Sequence, residues 1–170
     1  TKFSQMSVPA KAARRRSREF ALQALYQWLL SKRAPKEIAA DISEFRGYDK
    51  SDPLYFHDLL EGAVADAEKI EAALTPCIDR ALAQVSPVER AVLMIGCCEF
   101  MRHPEVPYRV IINEAVDLTK SFGGTDGHKY VNGVLDKLAL TLREHVDPYR
   151  LEVNAAYLDI YQVFKGFDLR

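Results

Sequence analysis

Five cations fall within eight residues near the start of the chain: Lys11, Arg14, Arg15, Arg16 and Arg18. No acid precedes Glu19, and no Gly or Pro interrupts the run from Lys11 to Leu30. Apolar residues recur at Ala21, Leu22, Leu25, Trp28 and Leu29, in steps of three and four. That spacing predicts one amphipathic helix whose later turns anchor in a core and whose first turns project the cations. Successive positions on a helix point about 100° apart. The five therefore cannot share one face, but they can surround a bent polyanionic strand. Phosphate contact is the chemistry they suit, with binding that weakens as salt rises because each neutralised phosphate releases counterions. The plainer reading is a solvated basic helix start. Against it, cations oppose the helix dipole at this end, at a cost of a few tenths of a kcal/mol each (roughly 0.3 or more). The placement thus serves something other than stability.

A second group lies more than a hundred residues further on. Phe122 and Tyr130 flank the loop Gly123-Gly124-Thr125-Asp126-Gly127-His128-Lys129. An aromatic ring can stack a base for about 1–3 kcal/mol, and glycines let a nucleotide approach the backbone. Asp126 can accept hydrogen bonds from base edges, and Lys120 and Lys129 can meet phosphates. The alternative is that both rings close the core and Asp126 caps a helix. Two further residues are candidates for a protein surface. Tyr26 lies about 120° around the first helix from Arg14, at the edge of the apolar stripe. Glu89 follows Ser86 by three residues in a capping box, which by itself accounts for its presence.

Metal and covalent chemistry find no support. Cys97-Cys98 with His103 lacks a ligand spacing, and the two adjacent thiols suit small buried hydrophobes. The glycine-rich loop contains no phosphate-binding G-x-x-x-x-G-K-[ST]. Ser121, Asp126 and His128 crowd into eight residues with nothing to orient them as a triad. We expect no cofactor, no metal and no catalytic residue.

The elements that must position these residues read as helices. With 48% hydrophobic and 28% charged residues, the 170-residue chain has the composition of a folded globular protein. Residues 1–18 hold six of the 23 Lys and Arg and none of the 24 Asp and Glu, which leaves 17 cations against 24 acids, a net −7, on the rest. A basic arm on an acidic body localises any polyanion contact. Three cysteines, two adjacent, argue against a disulfide framework, and neither a secretory signal nor an apolar run of about 18 residues is seen. A cytoplasmic protein with no membrane contact is expected. Pro35 starts a short helix to Phe45. Asp52-Pro53 starts one reaching Ile70, and Thr75-Pro76 a short one over Cys77–Gln84. Ser86-Pro87-Val88-Glu89 opens an almost wholly apolar helix, Ala91–Met101, the predicted centre of the fold. Pro107 opens Tyr108–Phe122, which Gly123-Gly124 ends as a glycine cap. A helix from about Asp126 to Glu144 follows. Asp147-Pro148 begins a last one with Leu151, Ala155, Leu158, Tyr161 and Phe164 on one stripe, for which docking on its own bundle is favoured over pairing with a second subunit. No segment alternates as a strand does. The expectation is an all-α protein of about eight helices in two small bundles: an arm 1–10, a domain 11–146 dividing near 74/75, and an additional helix 147–170.

Three stretches together resemble one family. They are Ala13-Arg14-Arg15-Arg16-Ser17-Arg18-Glu19 leading to Leu22-Gln23-Ala24-Leu25-Tyr26-Gln27-Trp28; Val106-Pro107-Tyr108-Arg109-Val110-Ile111-Ile112-Asn113-Glu114-Ala115; and Lys120-Ser121-Phe122-Gly123 through His128-Lys129-Tyr130-Val131-Asn132-Gly133-Val134-Leu135-Asp136-Lys137. In that order and spacing, over roughly Ala10 to Leu140, they resemble the NusB family of bacterial transcription antitermination factors. The resemblance implies a non-catalytic, all-helical protein that binds the single-stranded boxA RNA of ribosomal RNA operons together with NusE, a small-subunit ribosomal protein. It also implies joining the elongating RNA polymerase with other Nus factors, and in some members a homodimer that covers the RNA surface. It assigns Asp126 and Tyr130 to the RNA surface and Tyr26 and Glu89 to NusE. Thr125 and Gly127 depart from the family's usual acid and Ser, and the tail after Leu140 is longer than in many members. The first helix would then be a shared wall between the two bundles. The rivals are a NusB-like module acting in ribosomal RNA modification or ribosome assembly, and a purely structural helical dimer.

Overall fold

The computed structural model describes residues 8–143. Residues 1–7 of the expected arm and the whole of the expected tail helix 147–170 lie outside them. Seven α-helices are present among the described residues: α1 Val8–Ser31, α2 Pro35–Ser43, α3 Pro53–Ala65, α4 Ala67–Leu74, α5 Pro87–Arg102, α6 Tyr108–Phe122 and α7 Gly127–Leu142. Single turns of 3-10 helix stand at Tyr48–Lys50, Thr75–Cys77 and Leu82–Gln84, and no strand occurs among the described residues. The all-α expectation holds.

Two helix starts, those of α3 and α5, are capped by their own side chains. The Asp52 carboxylate accepts from the Tyr55 amide at 3.2 Å, and Pro53 occupies the first turn of α3. The Ser86 hydroxyl oxygen accepts from the Glu89 amide at 3.3 Å and donates to the Glu89 carboxylate. Glu89 thus returns to the cap through the hydroxyl of Ser86.

Four expectations are corrected. First, α1 begins at Val8, inside the segment expected to be a loose arm. Second, the single helix expected from Asp52 to Ile70 breaks at Asp66, with φ −98° and ψ 17°. The Asp66 carboxylate there accepts from Arg102 Nε at 2.9 Å, which ties the break to the end of α5. Third, Cys77–Gln84 is not a helix. Ile78 and Ala81 are extended, and Cys77, Leu82 and Val85 anchor the segment in the core while Asp79 and Arg80 point outward and pair with each other. Fourth, Gly123 ends α6 in extended geometry (φ −98°, ψ −175°), not in a left-handed cap. What it needs there is room, since a Cβ would lie 2.8 Å from the Thr119 carbonyl oxygen.

Every residue from Ala91 to Phe100 of α5 is buried. This helix packs against α1, α3 and α4 and also against α6 and α7. One apolar cluster runs through it, from Leu25 and Phe56 to Val92 and Ile95 and on to Leu118 and Leu138. The wall that both groups of helices share is therefore α5, and α1 packs chiefly on α2, α3 and α5. At Gly96 the α5 backbone meets the Leu135 side chain of α7, and a Cβ would fall 3.0 Å from it. All three cysteines are buried, and burial pushes the Cys97 and Cys98 thiols up to about 12.

Candidate nucleic-acid interface

The five cations of α1 have three different environments. Arg18 is withdrawn from the surface altogether. It is 1% exposed, and its Nε and one terminal nitrogen donate to the two Glu99 oxygens at 2.8 and 2.9 Å. The Tyr55 hydroxyl donates to the same carboxylate, and burial beside Glu99 pushes that phenol far above its ordinary value. Arg18 therefore does not belong with the candidate phosphate ligands. Helical register explains it: Arg18 stands three and four residues before Ala21 and Leu22, on the buried stripe. Arg14 lies one turn earlier, half-buried, with its guanidinium 4.4 Å over the Tyr55 ring.

Lys11, Arg15 and Arg16 remain on the surface and line an open groove of about 840 Å³ between the first turns of α1 and the length of α6. Lys120, near the end of α6, lines it too. The groove is not purely cationic. Glu19, Glu114 and Asp117 line it as well, with Asn113, Val110 and Val116. Arg15 donates to Glu114 through two nitrogens at 3.1 and 3.0 Å and lies 3.8 Å from Asp117. Glu114 raises the Arg15 pKa through this hydrogen-bonded pair. Glu114 also stands 3.9 Å from Arg18, so a chain of charges links the groove to the buried pair. Arg16, which lines the groove, also brings its guanidinium close to Gly47. Gly47 takes φ +89°, a left-handed conformation natural to glycine, and a Cβ there would lie 3.1 Å from Arg16.

The second group assembles around the start of α7. Phe122 is 43% exposed at the end of α6, too open for the core role weighed for it. Asp126 precedes α7 but makes no side-chain cap; its carboxylate lies 3.3 Å from Lys129, and both are well exposed. Tyr130 is half-buried and packs against the core. The Arg80 guanidinium sits 4.8 Å over its ring and donates to Asp79 through two nitrogens at 2.8 and 3.3 Å. Burial raises the Tyr130 phenol, and the nearby Arg80 opposes that shift. Glu89 reaches this same place: a Cβ on Gly127 would lie 2.6 Å from its Oε1. Glu89 is thus a neighbour of the loop, while Tyr26 is 39% exposed on the later turns of α1. The groove includes Lys120 but is not lined by Phe122, Asp126, Lys129 or Tyr130.

Sequence reasoning missed Glu114, Asp117, Glu99, Tyr55 and Arg80. A signal existed for Glu99, an acid in an otherwise apolar run that demands a buried cation. None existed for Glu114, which meets Arg15 across 99 residues of sequence. Among the described residues no group of three or more His, Cys, Asp or Glu is placed to hold a metal ion, and no helix is long and apolar enough to cross a membrane.

Seven helices packed around the buried α5, with a groove of mixed charge between α1 and α6, define the class: a small all-α protein. The NusB family profile matches residues 15–140, and the chain belongs to that family. It is 55% identical over 134 residues to the transcription antitermination protein NusB of Paraburkholderia xenovorans, covering 79% of this chain and 93% of that one. To the protein of the same name from Burkholderia ambifaria it is 58% identical over 133 residues, covering 78% and 92%. Among solved structures, NusB of T. maritima superposes with a TM-score of 0.68 at 26% identity, covering 75% of this chain and 91% of that one. A complex of the antitermination factors NusB and NusE with double-stranded RNA superposes with a TM-score of 0.64 at 25% identity, covering 75% and 96%.

Proposed function

We propose that this protein is a transcription antitermination factor that holds the boxA RNA of ribosomal RNA operons jointly with NusE and carries it to the elongating RNA polymerase. The observation that carries the reading is the convergence of Lys11, Arg15, Arg16 and Lys120, from two helices distant in sequence, on one open groove. A polynucleotide backbone is the ligand that uses four cations spaced along a groove. The resolved assembly of a related NusB with NusE and RNA supports the choice of partner.

The remaining candidates take roles around that groove. Arg14 flanks it, its guanidinium resting over the Tyr55 ring. Phe122 and Tyr130 offer ring faces to unstacked bases, Asp126 accepts from base edges, and Lys129 meets a phosphate beyond them. Tyr26 and Glu89 face NusE. Glu89 adjoins Gly127 and the loop, so protein and RNA would bind side by side there. Contact between the two ligands makes their binding cooperative, each raising the affinity of the other by the same factor.

The test is a titration of fluorescent boxA RNA into the protein with and without NusE, beside an RNA of the same composition in scrambled order. The reading predicts that boxA is preferred and that NusE tightens it by about 5–150-fold, the usual range of such coupling. Equal affinity for the two RNAs in the presence of NusE would refute it.

A further inference from the structure

The groove that should hold phosphates is nearly neutral. Of the five cations lining it, Arg18 is bonded to Glu99, and three carboxylates line it too, Glu19, Glu114 and Asp117, two of them beside Arg15. Glu114 is the best placed of these. Only 16% of its side chain is exposed, it accepts from Nε and one terminal nitrogen of Arg15, and Arg18 stands 3.9 Å away. Asp117 lies one turn further along α6, on the open side of Arg15. A phosphate entering here meets an arginine already bonded to a carboxylate in the bidentate geometry a phosphate would use. To take that same edge it must displace the carboxylate, and at the remaining terminal nitrogen it must lie beside Glu114 and Asp117; like charges brought together in an interface are costly.

Resting on the reading of the groove as the RNA site, we propose that Glu114 and Asp117 are specificity-determining residues of that site. They hold Arg15 in an internal ion pair that only a correctly registered RNA displaces. A generic polyanion gains nothing to offset the displacement. A cognate strand engages the rest of the surface at the same time, and once Arg15 turns to its phosphate, the freed carboxylates accept hydrogen bonds from its base amino and imino groups or 2′-hydroxyls. Selectivity thus comes from a repulsive element as well as an attractive one.

The experiment measures the affinity of the full chain, with NusE present, for boxA RNA, scrambled RNA and inorganic polyphosphate. Four proteins are compared: the parent, Glu114→Gln, Asp117→Asn and Lys120→Ala. The proposal predicts that Glu114→Gln and Asp117→Asn tighten polyphosphate and scrambled RNA by roughly five- to tenfold, while boxA changes by less than about twofold, so that the selectivity ratio falls. Asp117 is more than half exposed and remote from the buried pair, so its variant keeps the test open if Glu114→Gln perturbs the fold. Two results would overturn the proposal with the RNA groove still standing. In one, Lys120→Ala weakens boxA but neither carboxylate variant alters any ratio. In the other, the carboxylate variants weaken all three ligands together, which would mean that Glu114 presents Arg15 rather than restrains it. If Lys120→Ala also leaves boxA affinity unchanged, the groove itself is not the RNA site, and both readings fall.

Discussion

Arg18 carries the same side chain as Arg15 and Arg16 and is used in the opposite way. Two of its guanidinium nitrogens donate to Glu99 inside the molecule, and the Tyr55 hydroxyl donates to the same carboxylate. A buried pair of this kind contributes little compared with an apolar substitute, but losing one partner strands a charge in the core, at about 3–5 kcal/mol. We therefore expect Arg18→Ala and Glu99→Gln each to lower unfolding stability by about that amount in urea titrations. A loss under about 1 kcal/mol would show that the pair is solvated in practice. Arg16→Ala, an exposed change, should stay within about 0.5 kcal/mol. The difference between the arginines was partly readable in advance. Arg18 keeps step with Leu22 and Leu25, and Glu99 sits in an otherwise apolar run, although all five cations were expected to project from the helix. The pairing of Arg15 with Glu114 had no such trace, because α1 and α6 meet only in three dimensions.

At the scale of elements, α5 decides the arrangement. Its buried ten-residue stretch gives α1 and α3 one surface and α6 and α7 another, and so brings the cationic start of α1 alongside α6. Close approach at Gly96 sets the distance to α7. Gly96→Ala would press a methyl group to 3.0 Å of Leu135. Overpacking of this sort costs about 1–3 kcal/mol, more than the helix-propensity gain of about 1 kcal/mol from replacing glycine. Thermal melts should accordingly show Gly96→Ala less stable than the parent; a higher melting temperature would mean that Leu135 yields freely. Element starts were legible because their causes are local: Asp52-Pro53 and Ser86-Pro87 each carry their own cap. The break at Asp66 and the loss of helix over Cys77–Gln84 were not. Their causes are Arg102, 36 residues away, and core anchors at Cys77, Leu82 and Val85 that a short polar window does not reveal.

Seen as a whole, the molecule presents charge only where its fold lets it. The basic arm of the sequence becomes part of a groove lined by cations and three acids, and the glycine-rich loop joins exposed Phe122 and Asp126 to half-buried Tyr130 in a separate group. Fold class and family were legible from the motifs and their order. The balance of charge in the groove was not, because it depends on which side chains the packing of α5 places opposite each other. The central claim is that this groove grips the RNA backbone, and the salt dependence of binding tests it most directly. The affinity for boxA RNA should be measured between low and moderate salt for the parent, for Arg16→Ala with Lys120→Ala, and for Lys36→Ala on α2 as a control. For a single strand each lost phosphate contact lowers the slope of log affinity against log salt by about 0.7. The double variant should therefore bind more weakly, with a slope shallower by about 1.4, while Lys36→Ala should match the parent. An unchanged slope and affinity in the double variant would contradict the account.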